Sequence, residues 1–187
     1  SRGDILDPHA VERLVADADV VVHLAFVIFG DHDEAHKVNL EGSRNVFEAA
    51  VAAKVKRLVY ASSVAAYGFH ADNPLPLTED LPTRGTEAHP YSAMKAEVEG
   101  LLHEIIDPSP VDAYVFRPCI VAGPQATILV DSLPTIPLKG RIPGAVRALF
   151  DQVPVLKPVL PDPGVPLQLV HHDDVADALC SAVAGRG

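Results

Sequence analysis

Cysteine is scarce in this chain: Cys119 and Cys180 are the only two in 187 residues. With so few thiols, so far apart, a disulfide scaffold or a cysteine-ligated zinc site is not expected. Positive charge is also in short supply, 15 Lys and Arg against 25 Asp and Glu, for a formal net charge of −10. That balance argues against nucleic acid or an anionic membrane as the main partner, but not against local binding of a small anion. No apolar run reaches the ~20 residues a membrane helix needs and no signal peptide opens the sequence, so the expected location is cytoplasmic. Internal repeats and charge blocks are missing too. What is present is ordinary globular composition, 48% hydrophobic and 21% charged, at a length that suits one domain with a real core. The chain opens at Ser1-Arg2-Gly3-Asp4 without an initiator Met and stops soon after a helical pattern, which reads as a piece of a longer protein.

Taken in order, the sequence alternates helical and strand-like stretches. Asp7 followed by Pro8 reads as an N-cap and first helical position, predicting a helix to about Ala16. Val20 to Ala25 is a β-branched apolar run of the kind buried in parallel sheets. Helical spacing then runs from about Asp33 to Ala53, followed by a strand at Arg57-Leu58-Val59-Tyr60-Ala61. A long loop rich in Pro, Thr and acidic residues leads to His89, and loops of that length in compact domains are usually functional. A helix is expected from Pro90 to about Ile106, and a third strand from Asp112 to Arg117, stopped by Pro118. From Gly123 to Pro166 prolines are dense and periodicity is poor, with short helices expected near Ile128 to Leu133 and Ala145 to Asp151. Pro166 to Val170 reads as a fourth strand, and Asp173 as the cap of a last helix, Val175 to Ala184. This alternation predicts an α/β fold with a mainly parallel sheet, whose ligands gather beyond the carboxyl ends of the strands.

The stretch of greatest chemical interest is Tyr91-Ser92-Ala93-Met94-Lys95. On a helix, Tyr91 and Lys95 lie one turn apart on the same face. An ammonium beside a phenol favours the phenolate, which makes the pair a candidate for proton transfer near neutral pH. The spacing alone is weak evidence, because a surface helix with an exposed lysine has the same pattern. Ser62 and Ser63 stand just past the second strand, where a hydroxyl faces the ligand crevice or simply satisfies local backbone. His171-His172-Asp173-Asp174 suggests a metal site only superficially, since consecutive side chains diverge. Helix capping by Asp173 is the better reading, and no metal is expected. His23 reads as a packed histidine and Cys119 as a small apolar residue.

Ser62-Ser63-Val64-Ala65-Ala66-Tyr67-Gly68 followed by Tyr91 and Lys95 resembles the paired motifs of the extended short-chain dehydrogenase/reductase family, also called the NAD-dependent epimerase/dehydratase family. Other segments resemble it in the same order. Gly3-Asp4-Ile5-Leu6-Asp7 is similar to its adenine-contacting element, and Val21-Val22-His23-Leu24-Ala25 to the strand whose end lines the cofactor. Val38 to Asn45 is similar to its Asn-bearing helix, Phe116-Arg117-Pro118 to the strand end beside the nicotinamide, and Leu169 to Ala176 to its late strand-to-helix motif. The resemblance implies a Rossmann-like, doubly wound, mainly parallel sheet that lacks its first strands. Residues 1–122 are expected to form a partial NAD(P)-binding core, 123–166 an irregular substrate-side segment, and 167–187 a strand and helix returning to the core.

By the same resemblance Tyr91 is the acid/base, Lys95 assists it and binds the nicotinamide ribose, and Ser63 holds the reacting oxygen. Asp4, Ile5, Leu24, Ala25, Asn39, Lys95 and Pro118 are implied to line NAD or NADP. The implied partner is a small molecule, either a sugar nucleotide or another secondary alcohol or carbonyl compound. A homodimer is the implied assembly. The family's Gly-rich phosphate turn does not precede Gly3, and would stand upstream of Ser1 together with the residue that selects NAD or NADP. Val64-Ala65 replaces the Asp-Glu pair of nucleotide-sugar dehydratases, and Ile120 stands where nucleotide-sugar epimerases carry an Asn. The expected activity is therefore oxidation or reduction at one C–OH/C=O centre. Nucleotide-sugar 4-epimerisation and a non-catalytic binding module are the alternatives.

Overall fold

The computed structural model describes residues 3–124 and 168–185. The chain divides into two compact units, residues 1–119 with 173–187, and residues 120–172. The first opens with helix α1 (Pro8–Val15), whose N-cap Asp7 accepts hydrogen bonds from the amides of His9 and Ala10, with Pro8 in the first turn. Strand β1 (Val20–His23) follows, two residues shorter than the apolar run suggested. Helix α2 (His32–Ala53) begins where Asp31 takes the amides of Asp33 and Glu34. Strand β2 (Arg57–Ala61), a single 3-10 turn (Val64–Tyr67), helix α3 (Pro90–Ile106) and strand β3 (Asp112–Phe116) complete the run.

The three strands lie in the order β1-β2-β3, all parallel, with Val20 opposite Arg57 and Arg57 opposite Asp112. Each connection is a helix, as parallel pairing requires. The helices pack in sequence, α1 on α2 and α2 on α3. Phe47 from α2, Leu58 and Tyr60 from β2, and Val98, Leu102 and Ile106 from α3 are fully buried in the shared core. Gly42 is fixed by packing: a Cβ there would stand 2.5 Å from the Ile5 side chain. That close approach seats the N-terminal segment on α2, where Asn45 Nδ2 also donates to the Ile5 carbonyl at 2.9 Å.

The second unit contains a strand that sequence reading did not anticipate. Strand β4 (Ile120–Ala122) pairs in parallel with β5 (Leu169–His171). Pro118 ends β3 as expected, but strand geometry resumes two residues later. Helix α4 (His172–Val183) starts earlier than expected, so Asp173 lies inside its first turn instead of capping it. A carboxylate there still favours the positive end of the helix dipole. The helices expected near 128–133 and 145–151 lie outside the described residues.

His23, the last residue of β1, is packed, as its neighbours suggested. It stacks on Tyr60 at 5.7 Å, meets Phe47 edge-on at 5.5 Å, and its Nε2 lies 2.9 Å from Ser43 Oγ. Burial, aided by the positive charge of Lys95, pushes its pKa from 6.5 down to about 4. Between those values the unfolded chain binds a proton that the folded chain refuses, so stability must fall as pH drops from 6.5 towards 4. His23→Gln removes that titration. Urea unfolding from pH 7 to 4 is expected to show wild type losing on the order of 3 kcal/mol more than the variant. Parallel pH profiles would contradict this account of His23.

Candidate active site

Polar side chains gather at the carboxyl ends of β2 and β3, where α3 crosses them. Lys95 is buried, 4% exposed, with Nζ donating to the Ala61 carbonyl at 2.9 Å, at the last residue of β2. Three aromatic rings enclose the ammonium: Phe26 at 3.7 Å, Tyr60 at 5.2 Å and Tyr91 at 5.9 Å from its nitrogen to their centroids. Such placements are attractive when water is excluded. Burial pulls the Lys95 pKa from 10.5 down to about 8, against the opposing pull of the Glu99 carboxylate. Tyr91 is half-buried one turn before Lys95, with Phe26 edge-on to its ring at 5.7 Å.

Ser63 leaves β2 in extended conformation and caps the 3-10 turn, its Oγ accepting from the Ala65 amide at 3.2 Å. α3 is tied to that turn by Ser92, whose hydroxyl donates to the Ala65 carbonyl at 2.6 Å. The Val64 amide donates to the Pro118 carbonyl at 3.2 Å, which ties the same turn to the end of β3. The next residue up the strand, Ser62, points elsewhere: its hydroxyl donates to Glu99 on α3. The two serines thus have separate environments, one half-buried at the turn and one in the interior.

The other expected site residues scatter around this centre. Leu24 and Ala25 follow β1 directly and are exposed, Leu24 by 56%. Asp4 takes the Leu6 amide at 2.9 Å and sits with Ile5 at the chain's entry onto α2. Asn39 is not a helix-surface amide. It is fully buried, with Oδ1 accepting from the Val27 amide at 2.7 Å and Nδ2 donating to the Val27 carbonyl at 2.8 Å and to Met94 Sδ at 3.1 Å. Its side chain holds the loop between β1 and α2, the loop that carries Phe26 over Lys95. Sequence reasoning missed Phe26, Tyr60 and Glu99; of these only Glu99 left a signal, a carboxylate one turn beyond Lys95 on the same face.

The long loop before α3 holds itself together. Arg84 forks onto Asp72 at 2.9 and 3.0 Å and reaches Asn73 at 2.6 Å. Gly68, at φ 81°, lets the chain pass close to Gly85; a Cβ there would stand 2.4 Å from the Gly85 carbonyl oxygen. A pocket of about 210 Å³ lies against this loop, lined by residues including Tyr67, Asp72, Asn73 and Arg84, and not by Ser63, Tyr91 or Lys95. The rings of His171 and His172 lie 4.4 Å apart, closer than the divergence expected of consecutive side chains, because strand gives way to helix between them.

A nicotinamide dinucleotide, implied by the sequence resemblance, suits the donors at this centre. Ala61 is the one hydrogen-bond acceptor on Lys95 Nζ among the described residues, leaving two ammonium hydrogens for a ligand. Tyr60 Oη is also buried without a hydrogen-bond partner among the described residues. An ammonium with free hydrogens at a parallel strand end matches a hydroxyl-rich group such as ribose.

Comparison with known proteins bears on the family and the fold. The profile described as the NAD dependent epimerase/dehydratase family matches residues 1–185. The human protein 3 beta-hydroxysteroid dehydrogenase type 7 is 37% identical over 114 residues, covering 55% of this chain and 30% of its own length. A short-chain dehydrogenase/reductase superfamily protein from Agrobacterium tumefaciens, solved with bound NAD, superposes with a TM-score of 0.67 at 23% identity, over 96% of this chain and 60% of that one. RMD from Pseudomonas aeruginosa, solved with NADPH, gives 0.68 at 23% identity, over 97% and 60%. The chain thus spans about a third of the human relative.

The bracket formed by Asn39 is open to direct measurement. Asn39→Leu leaves the amide and carbonyl of Val27 without their partner, at a cost on the order of 2–4 kcal/mol. Hydrogen exchange at Val27 is expected to accelerate along with the loss of stability. Unchanged exchange would mean that the loop does not depend on Asn39.

Proposed function

The chain belongs to the NAD-dependent epimerase/dehydratase family, and on that premise we propose that it carries the acid/base centre of an NAD(P)-dependent oxidoreductase acting at one C–OH/C=O carbon. The observation that carries this reading is the burial of the Lys95 ammonium one helical turn from Tyr91, at the strand end that also bears Ser63. When bound, the nicotinamide cofactor supplies the hydride acceptor or donor. Tyr91 exchanges a proton with the substrate oxygen, taking it in oxidation and returning it in reduction. Ser63 donates a hydrogen bond to the same oxygen and steadies its changing charge. Lys95 sets its ammonium one helical turn from Tyr91 and offers its remaining hydrogens to the ribose.

The enclosure by Phe26 and Tyr60 excludes water, so these charges act at low dielectric. The substrate is proposed to be a secondary alcohol or ketone on a largely apolar body. Val64-Ala65 in place of a carboxylate pair argues against loss of water, and Ile120 in place of an amide argues against a nucleotide ligand. The hydroxysteroid dehydrogenase relative supports the same class.

The test uses the full-length protein, a panel of apolar secondary alcohols and NAD or NADP. Net accumulation of free NAD(P)H is expected, and Tyr91→Phe is expected to cut turnover by about 10²–10⁴-fold. Turnover that survives in the variant would overturn the role of Tyr91. Cofactor retained with no net redox change would turn the reading towards epimerisation.

A further inference from the structure

Glu99 has no part in the proton transfer described above, yet it is the most deeply placed charge at the site. It is fully buried, and four contacts converge on its carboxylate. The Ser62 hydroxyl donates to Oε1. Arg117 Nε reaches Oε1 at 3.1 Å and Oε2 at 3.0 Å, and Arg117 Nη2 reaches Oε2 at 2.7 Å. Arg117 is held in turn by the Tyr67 hydroxyl, 2.9 Å from Nη1, with its guanidinium over the Tyr67 ring.

Two further facts make this more than a structural ion pair. Tyr91, Lys95 and Glu99 recur at intervals of one helical turn, so they form one stripe of α3. That stripe meets consecutive residues of the chain: Lys95 bonds Ala61, Glu99 bonds Ser62, and the next residue is Ser63. Arg117 joins the stripe to the end of β3, next to Pro118, whose carbonyl takes the amide that follows Ser63. Resting on the oxidoreductase reading, we propose that Glu99, clamped by Arg117 and Ser62, is a positioning residue: it serves as counter-ion to the buried Lys95 ammonium and holds α3 in register with the strand end that bears Ser63.

The other ionisable groups around Lys95 do not supply that counter-charge. On α3 itself Tyr91 precedes it. From β2 comes Tyr60, whose phenol burial pushes further from ionisation. From β1 comes His23, held neutral by burial near neutral pH. α2 contributes His36, which is paired on the outer side with Glu97. Arg117 adds a second positive charge behind Glu99. Glu99 is therefore the group that opposes the loss of charge at Lys95, in line with its upward pull on that lysine.

The experiment follows the Lys95 titration directly in the full-length protein, by NMR of lysine labelled with ¹³C at Cε, the resonance assigned by its loss in Lys95→Met. In wild type the midpoint is expected at about 8. Glu99→Gln keeps the shape but removes the charge, and the midpoint is expected to fall by about one pH unit. The high-pH limb of kcat/KM for alcohol oxidation is expected to move down with it. A folded Glu99→Gln protein with an unmoved Lys95 midpoint overturns the proposal, since a purely structural residue would lower Tm and leave that midpoint alone.

If Glu99→Gln does not fold, the double variant Glu99→Met/Arg117→Met removes both charges and replaces a buried pair with apolar side chains, an exchange proteins often tolerate. Loss of the Arg117 charge works the other way, so its midpoint is expected to fall by less than in Glu99→Gln, and a midpoint that does not fall overturns the proposal. The NMR readout needs no turnover. Failure of the Tyr91 test would therefore remove the oxidoreductase reading while leaving the Lys95 titration to be judged on its own.

Discussion

The site depends on one bond between a side chain and a strand end: the Lys95 ammonium against the Ala61 carbonyl. A parallel strand finishes with carbonyls that have no further ladder partner, and a cation is the strongest donor available to one of them. Making that bond carries the ammonium out of water, a costly transfer unless its charge is compensated nearby. The surroundings can be understood as compensation. Aromatic faces approach from Phe26, Tyr60 and Tyr91, and a carboxylate stands one turn along the helix. Move α3 by one residue and Lys95 loses Ala61 while Glu99 loses Ser62, so polar contacts act with Val98 and Leu102 in the core to fix the register of helix on strand.

The loop after β1 adds a second constraint. Phe26 can lie over Lys95 only if the backbone around it is held, and the holding is done from α2 by Asn39 through both polar groups of Val27. A buried amide that satisfies one residue's donor and acceptor together behaves like an added rung of a sheet where no strand exists. Asn39 Nδ2 also contacts Met94, the neighbour of Lys95 on α3. Loop, α2 and α3 therefore share a small polar junction inside an otherwise apolar interface. Its satisfied hydrogen bonds are what make it tolerable there.

Much of this was legible in the sequence, for identifiable reasons. The starts of α1 and α3 were readable because Asp7 caps by side chain and Pro8 and Pro90 suit a first turn, whereas the Asp31 cap of α2 was not read. β2 and β3 were readable as apolar runs bounded by polar residues. β4 was not, because three residues following a proline carry no periodicity to detect, and partner β5 lies far along the chain. Tyr91, Lys95 and Ser63 stood out by spacing and by family resemblance. Asn39 was singled out by family resemblance, but its bracket on Val27 was not foreseen, since the α2 pattern alone does not tell which polar residue faces the interior. Phe26 was invisible, because its role comes from a tertiary contact and not from any local pattern.

The choice of cation at each position follows from these surroundings. A lysine's charge is adjustable: burial has pulled Lys95 down to about 8. An arginine in its place would remain charged whatever its environment and could not be tuned in this way. At position 117 the demand is the opposite. The group facing Glu99 must stay ionised in the interior and must grip a planar carboxylate, and the guanidinium fork does both, its pKa raised further by Glu99. A lysine there would offer one point of contact and could give up its proton, leaving a bare buried carboxylate beside the site. The fixed charge of Arg117 thus faces the Glu99 carboxylate, and Glu99 opposes the loss of charge at Lys95.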